Sequence, residues 1–385
     1  FEDEDASDPR TCMGLTATLF ADFYKFVPRG YESVSTSALS LGLTLLQNVV
    51  ETFSHYLTGA AASNQVSSLT QRFCALAFRS TALTDVLQTG YDLLKRFAKS
   101  SAQARNDCVQ LIWLCLSYDF EGTGKMGLAS KSYPYATFYG RSYIRVDELE
   151  SEPDDLHSDV GQIPFPKSWE RFFQPGSLME ELLRNYFEDP VCETSAVTLE
   201  CILQMVCVRR DVFERYDDID KWFNILTNGL MTILKNSTGL TKQENHHMVC
   251  RILGQLASAG FMIRLASSAS WPELGQLLLN FTLASIKASR WCENSVPYLI
   301  TFWSHMSRRT MPGRCVTDAV SKSVGDYVKV VYSAYIQSKL ADSVALVRDP
   351  SLNNPLLNID SALEQVSSTS VGFLSRRSAE DSVNA

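Results

Sequence analysis

Six separate stretches of this 385-residue chain repeat one spacing of apolar residues. Met179, Leu182, Leu183 and Tyr186 form the first set, and Leu199, Ile202, Leu203 and Val206 the second. Ile219, Trp222, Phe223 and Leu226 follow, then Val249, Ile252, Leu253 and Leu256. Leu274, Leu277, Leu278 and Phe281 come next, and Val296, Leu299, Ile300 and Trp303 close the series. Positions i, i+3, i+4 and i+7 lie on one face of a helix, so each set predicts a helix with one buried stripe. With hydrophobic residues at 45% of the chain, one window matches by chance about 0.04 of the time. Six matches, each between its own breakers, are therefore a strong signal. Asp189-Pro190 and the run Asn236 to Gly239 stop two of the helices. Ser270-Trp271-Pro272-Glu273 and Asn294-Ser295-Val296-Pro297 start two others, with proline tolerated in a first turn and glutamate favoured there.

Paired as hairpins, the first members begin their stripes at 179, 219 and 274, and the second members at 199, 249 and 296. The resulting intervals, 40 and 55 in one set and 50 and 47 in the other, surround the roughly 40–47 residues of HEAT and armadillo repeats. No strand-like alternation of useful length appears. The predicted fold is all-α, a HEAT-repeat (armadillo-like) α-solenoid superhelix in which each hairpin buries its stripe against its neighbours. Segments 38–57, 66–97 and 104–120 extend the stack upstream, and a stripe at Val320, Val324, Tyr327, Val331 and Tyr335 extends it downstream. The expected division is an acidic, disordered start at 1–12 and helical repeats over 13–120. An inserted, partly disordered loop over 121–168 follows, then repeats over 169–345, and a short helix with a loose tail over 346–385. The short helix is placed by a pattern near residues 359–366.

The net charge of −8 disfavours a nucleic-acid binder and suits a receptor for basic protein surfaces. The longest uncharged run, residues 33–50, is interrupted by Ser, Thr, Gln and Asn, and predicts no membrane span. Ten cysteines without regular spacing, several inside apolar stripes, suggest reduced, buried thiols in a cytosolic or nuclear protein. The chain opens on Phe1 without a secretory signal and reads as an internal fragment.

Candidate chemistry is sparse. Cys201 and Cys207 sit six positions apart on a predicted helix, about 9 Å and 120° from each other. They can neither bridge nor share a metal from one helix, so both read as packing groups. Residues 121–127 (EGTGKMG) approximate a phosphate loop but carry Asp119 and Met126 where Gly and Ser or Thr are needed. His246 and His247 point about 100° apart on a helix, cannot chelate alone, and predict a surface or hairpin position. Tyrosines and two arginines alternate over 133–146, but the acidic run that follows argues against a single-stranded nucleic-acid platform. No catalytic, metal or cofactor-binding residue is predicted, and no enzyme activity. Arg209 and Arg210 close a predicted helix, where cations complement the dipole. Arg210 falls close to the apolar stripe and could instead pair with a neighbouring carboxylate. The functional alternative is that one of the two arginines holds an acidic partner surface.

Several stretches occur in one order: LIWLCLSYDFEGT, PFPKSWERFF, LECILQMVCVRRDVF, LLLNFTLASI, NSVPYLITFWSHM and AYIQSKLADSVALVRDP. Together they resemble the exportin-seven branch of the importin-beta (karyopherin) superfamily of nuclear transport receptors, from about Ala38 to about Pro350. The resemblance implies a HEAT superhelix that binds Ran-GTP and protein cargo, contacts Phe-Gly-rich nucleoporins, and shuttles between nucleus and cytoplasm through the nuclear pore. It implies export of cargo. An import receptor of the same superfamily and a cytosolic HEAT scaffold are the alternatives. The superfamily's first repeats carry much of the Ran contact, and this fragment begins after them. Two further departures are the long loop over 121–168 and Ser195, where the HEAT pattern expects an arginine about six residues after Asp189.

Overall fold

The structure is a computed structural model and describes residues 36–58, 69–97, 101–120, 162–258, 261–288, 291–292, 294–310 and 316–348. Twelve α-helices appear among them, with one isolated bridge, Ile163 to Val208, as the only strand-like pairing. They are α1 (Thr36–Thr58), α2 (Leu69–Thr81), α3 (Leu83–Phe97), α4 (Ala102–Leu116), α5 (Leu178–Glu188) and α6 (Ser195–Val206). Then follow α7 (Tyr216–Asn236), α8 (Gln243–Ser258), the short α9 (Met262–Ala266), α10 (Trp271–Lys287), α11 (Val296–Arg309) and α12 (Asp318–Arg348).

The helices stack in two rows. Helices α3, α5, α7, α10 and α12 pack in succession along one row, and α1, α4, α6, α8 and α11 along the other. The pairs α3–α4, α5–α6 and α10–α11 also touch across the rows. This is the all-α HEAT-type solenoid, and two of the three hairpins that the stripe spacing predicts, α5–α6 and α10–α11, pack closely, whereas α7 and α8 pack chiefly along their separate rows. In five of the six sets every stripe residue is buried; only Leu277 and Phe281 on α10 are half-buried.

Local chemistry explains the boundaries. Helix α7 opens with Asp217 and Asp218 and ends with Lys235, both favourable to the helix dipole. Its end turns through Ser237 at φ 50°, with the Thr238 N–H returning to the Ile233 carbonyl at 3.0 Å. Gly239 follows at φ +67°, where an added Cβ would lie 2.6 Å from both the Pro190 carbonyl oxygen and the Tyr186 hydroxyl. Two turns of backbone meet there, and only glycine fits. Gly229 serves the row contact: a Cβ there would come within 2.6 Å of Leu183, so α5 and α7 lie close.

Residues 162–177 are well tied down. The Ile163 N–H donates to the Cys207 carbonyl at 2.6 Å, and the Trp169 indole donates to Thr84 on α3 at 2.8 Å. A 3-10 turn, Lys167–Phe172, seats Trp169 and Phe172 in the core. These rings belong to a chain of aromatic contacts along the edge where one hairpin passes to the next. It runs from Phe120 to Phe165 and Trp169 (5.1 Å each), and from Phe165 to Phe173 (5.8 Å). From Phe173 it continues to Trp222 (6.2 Å) and on to Phe261 (5.7 Å).

Candidate functional site

At the opposite edge, inside each hairpin, the turns are joined by polar bonds instead. Arg105 on α4 donates to the Asp189 carboxylate at 3.0 Å, and Thr194 donates to Asn106 at 2.7 Å, so α4 grips both ends of the α5–α6 turn. From the other side Asn245 donates to the Pro190 carbonyl at 2.7 Å, Ser195 donates to Asn245 at 3.0 Å, and Lys242 caps the Cys192 carbonyl at 2.9 Å. Tyr186 reaches forward to the Thr238 carbonyl at 2.8 Å. The arginine expected six residues after Asp189 is thus supplied by the preceding hairpin, as Arg105. Ser195, at that position, reaches Asn245 at 3.0 Å and the Cys192 carbonyl at 2.8 Å.

The histidines correct their sequence reading. His246 is buried and His247 half-buried, rather than at the surface. His246 Nε2 shares a hydrogen bond with Ser285 at 2.9 Å and His247 Nδ1 one with Ser295 at 3.0 Å. Both serines belong to the next hairpin, and they satisfy rings that would otherwise need water. Burial lowers the pKa of each ring to about 4, helped for His247 by the charges of Arg251 and His246. Both are neutral near pH 7.

The row of α4, α6 and α8 holds one buried charge cluster. Every residue of α6 is buried, including Glu200 and Gln204. Arg251 on α8 approaches Glu200 at 3.9 Å, the two side chains being 7% and 3% exposed. Desolvation raises the Glu200 pKa more than Arg251 and the Trp113 indole lower it. The indole influences the carboxyl without a hydrogen bond of ordinary length, and neither Glu200 Oε2 nor the Gln204 amide has a partner within the protein. The sequence carried a hint of this cluster, because Glu200 is the only charged residue in the stretch LECILQMVCV.

Arg209 and Arg210 lie past the helix they were expected to close. Helix α6 ends at Val206, and the chain then bridges Ile163 and enters a 3-10 turn, Arg210–Val212. Capping the α6 dipole is therefore not their geometry. The Arg209 N–H donates to the Ile163 carbonyl at 3.4 Å and its side chain is half-buried. Arg210 is exposed instead of turned into the stack, because the chain has left helical register before reaching it. Arg264, ion-paired with Asp220, has its pKa lowered by burial first and then by the charge of Arg210. The expected ion pair of Arg210 within the stack is therefore not formed; the buried pair there, Arg251 with Glu200, involves neither Arg209 nor Arg210.

Cys201 and Cys207 are fully buried, and burial raises both thiols well above their ordinary pKa. The eight described cysteines form no disulfide. Among the described residues no three His, Cys, Asp or Glu side chains gather as a metal site, and no helix is long and apolar enough to cross a membrane. The loop motifs at 121–127 and 133–146 lie outside the described residues.

No family model and no solved structure matches the chain. Known proteins do. Ran-binding protein 17 of Homo sapiens is 27% identical over 308 residues, covering 78% of this chain and 25% of that protein. Exportin-7-B of Xenopus laevis is 26% identical over 293 residues, 74% of this chain and 24% of the relative. Ran-binding protein 16 of Drosophila melanogaster is 27% identical over 230 residues, 59% and 20% respectively. The chain is similar to the exportin-7 and Ran-binding-protein branch of nuclear transport receptors. It spans about a quarter of the length of the curated relatives it matches.

Proposed function

We propose that the chain forms part of a nuclear export receptor, which binds protein cargo together with Ran-GTP and carries it through the nuclear pore past Phe-Gly-rich nucleoporins. The observation that carries the reading is the similarity to exportin-7 and Ran-binding proteins across three quarters of the chain. The solenoid supports it, since a stack of hairpins offers long continuous surfaces and can change curvature by small displacements. The mechanism is linkage: cargo and Ran-GTP each favour the curvature that suits the other, and GTP hydrolysis by Ran removes the coupling. On this reading the chain performs no chemistry, needs no cofactor and cycles between nucleus and cytoplasm.

Within the stack, exposed Arg210 beside Arg264 is the proposed hold for an acidic partner surface, with half-buried Arg209 fixing the turn beneath it. The test is a pull-down by the full-length protein with and without Ran-GTP. Cargo retained only with Ran-GTP supports export. Cargo expelled by Ran-GTP indicates an import receptor, and no response to Ran indicates a scaffold.

A further inference from the structure

Four unpartnered polar atoms gather at one place in the row of α4, α6 and α8. Among the described residues, nine buried side-chain nitrogen or oxygen atoms have no hydrogen-bond partner within the protein, and four of them are Trp113 Nε1, Glu200 Oε2 and both polar atoms of the Gln204 amide. The other five are scattered over Ser54, Arg105, Asn185, Trp222 and Trp271. Glu200 and Gln204 stand one helical turn apart on the same face of α6, about 6 Å along its axis. The indole of Trp113 approaches from α4, near enough to act on the Glu200 carboxyl. Arg251 approaches from α8, with its Nη1 3.9 Å from Glu200 Oε1. That separation is too long for a direct hydrogen bond and is within reach of a bridging molecule.

The chemistry of these groups defines what satisfies them. The Trp113 N–H only donates, the Glu200 carboxylate only accepts, and the Gln204 amide does both. An occupant facing all three must therefore donate and accept. It must also be uncharged. Arg251 already balances Glu200, so a further cation would meet the guanidinium and a further anion the carboxylate. It must be small, because the side chains of Glu200 and Arg251 are 3% and 7% exposed and Gln204 is 0% exposed. Water meets all three conditions, and a buried water typically makes two to four hydrogen bonds to groups of this kind. Trp113 is half-buried, so the cluster ends one side chain from solvent and can exchange its occupant without unfolding the row.

We propose that α4, α6 and α8 are joined by a buried hydration site, at which ordered water accepts from the Trp113 indole, exchanges hydrogen bonds with the Gln204 amide and donates to Glu200 Oε2. The pair of Arg251 and Glu200 is then one part of a water-completed polar seam that crosses three successive helices of the row.

Nuclear magnetic resonance of the whole 385-residue chain reads the site through the indole. Trp113 is one of six tryptophans, and its N–H resonance is assigned by its loss in Trp113→Phe. In the parent protein that resonance should show a cross-peak to water of opposite sign in laboratory-frame and rotating-frame experiments, the mark of a bound molecule rather than of proton exchange. Absence of the cross-peak would overturn the proposal, and this arm needs only the parent fold. Water-oxygen relaxation dispersion counts long-lived internal molecules. A Glu200→Met, Gln204→Met variant with the parent's circular dichroism should lose the amplitude of at least one molecule, and equal amplitudes in the two proteins would also overturn the proposal. Infrared spectroscopy supplies the third arm. A protonated-carboxyl band near pH 7 that disappears in Glu200→Gln would mean that Glu200 donates directly to its neighbours, and would sink the hydration site.

Discussion

Helices α6 and α12 stand at different depths in the stack and meet opposite fates. All residues of α6 are buried, whereas among the described side chains of α12 only Val324 and Val331 are fully buried. Helix α6 has α4 and α8 beside it in its own row and α5 across from it. Helix α12 meets α10 and α11 on one side. Position in the stack decides the difference. An interior helix has to accommodate its polar groups on every face, and Glu200 with Arg251 at 3.9 Å and Gln204 without a protein partner show how incompletely that is met here.

The sharpest test of the contrast is to break the buried pair. Arg251→Met leaves Glu200 buried without a counter-charge and should cost about 3–5 kcal/mol in urea denaturation. Adding Glu200→Gln should restore most of that loss; no recovery would mean the two residues do not act as a pair. Next in size is the packing test. Ile202→Ala in α6 should cost about 2–5 kcal/mol by the same measurement, while Val320→Ala on the half-buried face of α12 should cost about 1 kcal/mol or less. Equal costs would end the distinction between interior and end helices.

Acid provides a third, smaller lever. A histidine ring whose folded pKa is about 4 binds its proton more readily in the unfolded chain. His246 and His247 therefore contribute stability that is present above about pH 6.5 and is lost as pH falls toward about 4, by up to about 1.4 kcal/mol per pH unit each. Glu200 runs the other way: its raised pKa lets the folded state hold a proton longer, so its own contribution improves as pH falls below that pKa. The contribution of the two rings should fall between about pH 6.5 and 4. The His246→Gln, His247→Asn double variant should flatten that slope in pH-dependent denaturation. An unchanged slope would place the acid sensitivity elsewhere. The smallest effect belongs to Arg210. Arg210→Ala should change stability by less than about 0.5 kcal/mol, leaving a binding assay with the full-length protein to show whether an acidic partner depends on it.

The stripes were legible in the sequence because they are local: Leu199, Ile202, Leu203 and Val206 announce a helix face without help from elsewhere. The polar joints were not. His246 needs Ser285, 39 residues away, Asp189 needs Arg105, 84 away, and nothing in either local window names its partner. The position of Arg210 was missed for a different reason. Extending the helical register past Val206 rotated it onto the wrong face, and the bridge to Ile163 that ends the helix comes from a distant segment.

The two edges of the stack differ in the kind of bond they use. Along the turn edge, directional contacts such as Asn245 to the Pro190 carbonyl and Arg105 to Asp189 fix each hairpin against the next. Along the other edge, rings from Phe120 to Phe261 meet edge-to-face or tilted, and hydrogen bonds such as Trp169 to Thr84 anchor the rings between them. Successive hairpins are thus registered twice, by paired polar groups at one border and by ring packing at the other.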